Sequence, residues 1–120
     1  MKILLVEDNE DIREGLTDLL ESEGYSVTGR GSAEEGLALL RTESFQLVIT
    51  DYMLPGETGR WMLEQAENEQ RLRTTPAVMI TAHPRVKPPS GVRLMHKPLD
   101  IDDFLRVVGS TISPLRALGA

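Results

Sequence analysis

Cysteine is absent from the 120 residues. That excludes disulfides, a thiolate nucleophile and thiolate metal ligands, and it fits a cytoplasmic location. No apolar run approaches the roughly 20 residues of a membrane-spanning helix, so no membrane partner is expected. Basic residues are scattered: 13 Lys and Arg stand against 19 Asp and Glu, for a net charge of -6. Nucleic-acid phosphates are held by clustered Lys and Arg, so a direct nucleic-acid partner is not expected either. The opening MKILLVEDNED turns acidic at Glu7, before the apolar segment of a secretory signal could form. No internal repeat, low-complexity stretch or interdomain linker interrupts the chain. Its length suits one domain with one core, 1–120.

What is present is an alternation of short apolar runs and amphipathic segments. KILLV (2–6), QLVIT (46–50) and AVMI (77–80) have the look of parallel strands buried on both faces. YSVTG (25–29) alternates, and VRLMH (92–96) completes five strands. Between them, Ile12, Leu16, Leu19 and Leu20 recur at helical spacing. Asn9 caps that helix, Glu10 and Asp11 suit its first turn, and Gly24 closes it. Ser32-Ala33-Glu34-Glu35 is a capping box that opens a second helix, with Ala33, Leu37 and Leu40 inward. A third starts at Thr58 or Gly59 with Met62, Leu63 and Ala66 as its stripe; Trp61 falls off it and is expected to be partly exposed. Asp100 caps the last helix, with Ile101, Phe104, Leu105, Val108 and Ile112 on one face. The tail from Ser113 is expected to fray. Strands alternating with helices imply βαβ units, a parallel sheet and right-handed crossovers.

One crossover departs from this pattern. HPRVKPPSG (83–91) holds three prolines in nine residues and cannot be a regular helix. A crossover with a helix takes roughly 10–12 residues or more. The helix is therefore expected to be missing or reduced to a turn, with Val86 the only large apolar side chain covering the sheet there.

In open α/β sheets, ligands bind at the carboxyl ends of the strands. Those ends carry Glu7 and Asp8 on the first strand, Asp51 on the third, Thr81 on the fourth and Lys97 on the fifth. Each has an ordinary reading alone: Asp51 as a turn residue, Glu7 and Asp8 as a helix N-terminus, Thr81 and Lys97 as surface. Together they form one chemical set. Three crowded carboxylates raise one another's pKa, a divalent cation resolves the repulsion, and a few hard oxygen ligands suit Mg²⁺. A lysine and a hydroxyl complete an oxyanion site. Phosphoryl transfer to an aspartate needs this combination.

With ILLVEDN at the start, LVITDYMLPGETG in the middle, PAVMITA, and HKPL near the end, the chain resembles the receiver domains of bacterial two-component response regulators along essentially its whole length. The resemblance implies a flavodoxin-like three-layer αβα sandwich with strand order 2-1-3-4-5. It implies a phosphorylation-controlled signalling switch rather than an enzyme with a separate substrate. Asp51 is then the phosphoacceptor, with Thr81 as switch hydroxyl and Lys97 as phosphate-pairing lysine. Glu7, Asp8, Asp51 and the backbone carbonyl of Met53 hold Mg²⁺. The implied partner is a sensor histidine kinase or a histidine phosphotransfer domain in a phosphorelay. The output partner is not named by the sequence, and a phosphorylation-dependent dimer is left open. The Lys97-Pro98 bond is similar to one that is usually cis in the family.

Two departures stand beside the resemblance. Leu94 occupies the position where the family carries a switch aromatic, and the strap at 83–91 replaces a helix. They support a rival reading, a pseudo-receiver that signals without phosphate, although none of Asp51, the acidic pair or Lys97 is lost. A second rival is a Mg²⁺-dependent phosphohydrolase, which needs another Asp two residues after the nucleophile; Met53 stands there. His83 is read as a bystander near the site and His96 as a strand residue facing away from it.

Overall fold

A computed structural model describes residues 1–112; the fraying expected from Ser113 lies outside the described residues. The chain runs β1 (Lys2–Val6), α1 (Glu10–Ser22), β2 (Ser26–Arg30), α2 (Ala33–Thr42), β3 (Leu47–Asp51), α3 (Gly59–Asn68), β4 (Ala77–Thr81), β5 (Arg93–His96) and α4 (Ile101–Ile112). All strand pairs are parallel, in the order β2-β1-β3-β4-β5. This is the expected flavodoxin-like three-layer sandwich. Strand ends differ from the sequence reading by a residue, as for β2 and β5, because ladder hydrogen bonds rather than side-chain pattern set them.

β3 and β4 are buried at every position, and alternation divides their side chains between two layers. Leu4, Val6, Val48 and Met79 pack under α2 and α3 with Leu37, Met62 and Leu63. Ile3, Leu5, Ile49 and Ile80 pack under α1 and α4 with Leu16, Leu20, Phe104 and Val108. The helices begin where the sequence indicates. Asn9, Ser32 and Thr58 each accept a bond from the amide three residues on, and Asp100 Oδ1 accepts from Asp103 N at 2.9 Å. Gly24, at φ +94, ends α1 in the left-handed region. Trp61 is half-buried, as expected.

Two residues read as inward are not. Ile12 is 44% and Ile101 48% exposed. Both lie in the first turn of their helices, level with the end of the sheet, where no strand remains to cover them. The strap is as expected: residues 82–92 carry turns and no helix. Val86 packs against the layer of α2 and α3, and Arg60 Nη1 of α3 donates to the Lys87 carbonyl at 2.6 Å. No helix among the described residues is long and apolar enough to cross a membrane.

Candidate functional site

β1, β3, β4 and β5 end within two residues of one another in register, so Glu7, Asp51, Thr81 and Lys97 gather on one edge. Glu7, Asp51 and Thr81 are 4%, 7% and 3% exposed, while Asp8 is exposed. One oxygen from each of Glu7, Asp8 and Asp51 lies within 4.8 Å of the others. Lys97 Nζ reaches Asp51 Oδ2 at 3.0 Å and Glu7 Oε2 at 3.9 Å. Lys97-Pro98 is a cis peptide. Met53 is 66% exposed beyond the site.

The electrostatics follow from burial. Glu7 is pushed up to about 7, first by loss of water and then by the Asp51 charge and a shared hydrogen bond. The Asn9 amide, 3.1 Å from Glu7 Oε1, and the Lys97 charge hold it back. For Lys97, burial works against the charge, but its bond to Asp51 and the three nearby carboxylates outweigh it, so its pKa is raised. One lysine does not balance three carboxylates, and Asp51 Oδ1 is buried with no hydrogen-bond partner among the described residues. An orphaned buried oxygen, two neighbouring carboxylates and a carboxyl group pushed toward neutrality are the features of a hard divalent-cation site. The residues therefore fit Mg²⁺.

Thr81 Oγ1 accepts from His83 N at 2.9 Å, and no bond donated by its own proton is found among the described residues. His83 is exposed, and its Nδ1 accepts from Arg85 N at 3.2 Å, so it shapes the turn into the strap. His96 is exposed. Gly59 closes the Asp51 loop, donating to the Tyr52 carbonyl at 2.9 Å. A Cβ there would collide with the Asp51 carbonyl oxygen and come within 2.6 Å of Thr50 Oγ1. Beside the site, Ile12, Leu16, Pro98, Leu99 and Ile101 line a shallow apolar hollow of about 520 Å³ that also touches Lys97.

Sequence reasoning missed two contributors: the Asn9 amide on Glu7, and Arg13, whose Nη1 donates to the Glu7 carbonyl at 2.7 Å. Neither leaves a sequence signal. The first is a backbone group, and the second comes from a helix whose polar face reads as solvated.

The model of the response regulator receiver domain matches residues 3–107. The chain is 35% identical over 86 residues to the transcriptional regulatory protein HprR of Escherichia coli, covering 72% of this chain and 37% of that protein. It is 34% identical over 85 residues to the chemotaxis protein CheY of Pseudomonas aeruginosa, covering 68% of this chain and 67% of that one. With PfeR of the same organism the match spans 26% of the relative, so the chain covers only part of most such proteins. Among solved structures it is similar to a CheY-like receiver domain protein from Methanospirillum hungatei, with a TM-score of 0.87, 27% identity and 98% of each chain covered. It is also similar to the receiver domain of the hybrid histidine kinase CckA, with a TM-score of 0.82, 29% identity, and 93% and 99% covered.

Proposed function

We propose that this chain, which belongs to the response regulator receiver domain family, accepts a phosphoryl group on Asp51 and acts as the phosphorylation-controlled switch of a two-component system. One observation carries the reading: Lys97 Nζ is paired to Asp51 Oδ2 at 3.0 Å, while Oδ1 is buried with no partner among the described residues. A carboxylate paired to a lysine through one oxygen, with the other turned into the site, is a nucleophile awaiting an electrophile.

The donor in this reading is a phosphohistidine of a sensor kinase or a histidine phosphotransfer domain. An Asp51 oxygen attacks phosphorus, the P–O bond forms as the P–N bond breaks, and the imidazole nitrogen leaves with the electron pair. Lys97 pairs with the transferred oxyanion, and Thr81 turns its unused hydroxyl proton toward a phosphoryl oxygen. Glu7, Asp8, Asp51 and the Met53 carbonyl would hold Mg²⁺, which supplies neutralisation of charge on the transferring group. The apolar hollow of Ile12 and Ile101 gives the donor protein a dry surface beside Lys97. The strap, β5 and α4 form the output face, for a partner or a second phosphorylated copy.

The test is incubation with a small phosphodonor and Mg²⁺, read by intact mass. The parent should gain one phosphoryl group and Asp51→Asn none. Uptake by Asp51→Asn at a comparable rate overturns the assignment. A parent that stays unmodified points to the pseudo-receiver, and steady release of phosphate from a phosphomonoester points to the phosphohydrolase.

A further inference from the structure

At the end of β1 the ladder runs out of partners. Glu7 N still donates to the Arg30 carbonyl at 3.0 Å, but β2 stops at Arg30 and nothing on β2 meets the Glu7 carbonyl. Glu7 is buried, so that carbonyl needs a donor. Arg13 supplies it from α1 at 2.7 Å. The half-buried stem of Arg13 gets there by crossing Gly29. A Cβ on Gly29 would lie 3.0 Å from Arg13 Cδ, 3.3 Å from Cγ and 3.6 Å from Nε. At Gly31 a Cβ would lie 3.5 Å from Nη1. Gly29 pairs in register with Leu5, whose side chain packs on the α1 side of the sheet, so a side chain at 29 would stand where the arginine stem runs. The backbone of Gly29 is not in the left-handed region, so its glycine is not required by its conformation. Strand interiors favour β-branched residues and disfavour glycine, which leaves room for Arg13 as the reason for glycine at 29.

We infer that Arg13 is a positioning residue for the acidic pair, and that Gly29 is glycine so that Arg13 can lie there. The guanidinium fixes the backbone turn from which Glu7 and Asp8 project, and the Asn9 amide on Glu7 Oε1 completes that turn. Loss of Arg13 leaves a buried carbonyl unpartnered and lets the turn drift, so the three carboxylates no longer converge. The consequence for Mg²⁺ rests on the function proposed above; the consequence for the turn does not.

A double-mutant cycle tests this. Arg13→Met keeps the length and the apolar stem without the donors. Gly29→Val displaces the stem while improving strand propensity, so a merely structural role predicts an unharmed or steadier protein. Two readouts are taken: exchange of the Asn9 amide in metal-free protein, and Mg²⁺ affinity by calorimetry. Both single variants should speed Asn9 exchange, and Arg13→Met should weaken Mg²⁺ about tenfold or more, the scale of removing a group that orients a metal ligand. The double variant should be no worse than Arg13→Met. Asn9 exchange unchanged in Arg13→Met, or effects of the two sites that simply add, would overturn the inference. A parent that binds no Mg²⁺ instead overturns the metal reading, and Asn9 exchange still decides the role of Arg13.

Discussion

The crossover from β3 to β4 and the one from β4 to β5 leave the same edge of the sheet, yet only the first carries a helix. α3 buries Met62, Leu63 and Ala66 completely or nearly so. The strap at 82–92 offers two half-buried valines, Val86 and Val92, and is tied down mainly by the Arg60 bond to the Lys87 carbonyl. The acidic edge between them is intact all the same. Asp51, Thr81 and Lys97 are placed by strand ends and the ladder, including Tyr52 N to the Ile80 carbonyl and Lys97 N to the Thr81 carbonyl. The comparison separates two jobs within one fold. Strands place the chemistry, and crossovers supply cover and an outward face.

The largest difference should appear in local opening. Amides of α3 are expected to exchange with free energies near that of global unfolding, whereas Arg85 to Gly91 should open at a cost near zero. Helix-like protection across the strap would erase the distinction. Next come truncations in the two covers. Met62→Ala should lower stability by about 3 kcal/mol as a fully buried side chain, and Val86→Ala by about 1 kcal/mol or less, in chemical denaturation at constant slope. The glycines of the two crossovers sharpen the contrast further. Gly59→Ala meets the Asp51 carbonyl and should cost about 3 kcal/mol through overpacking. Gly91→Ala meets nothing within 4 Å among the described residues but sits at φ +82, so it should cost about 1–2 kcal/mol from backbone strain.

A smaller effect belongs to the edge itself. Glu7 has a folded pKa of about 7, above its ordinary 4.5. The stability its proton contributes is therefore complete below about 4.5 and lost as pH rises through 7. Metal-free protein should lose on the order of 2 kcal/mol across that window, and Glu7→Gln should flatten the dependence. A parent and a Glu7→Gln variant with the same melting profile from pH 4.5 to 8 would show that Glu7 does not carry the strain.

Most of the fold was legible because strand burial and helix periodicity are local patterns. KILLV, LVIT and AVMI announced buried strands, and three prolines in nine residues announced the missing helix. The exposure of Ile12 and Ile101 was not legible, since periodicity reports which face a residue occupies and not whether the sheet extends far enough to cover it. At the site, Glu7, Asp8, Asp51, Thr81 and Lys97 could be gathered because strand ends share an edge. Arg13 and Gly29 could not, because their relation is a contact across elements with no spacing rule behind it.

Whether chemistry resides in the strand ends or in the strap can be read at a single residue. The phosphodonor-treated protein, with Mg²⁺ present, is reduced with borohydride, which converts an aspartyl phosphate to homoserine, and is then digested and sequenced by mass. Homoserine at position 51 is the expected result, in the parent and in Val86→Ala to a similar extent. Modification at another residue, or loss of the position 51 label when only the strap is altered, would contradict the division between strand ends and cover.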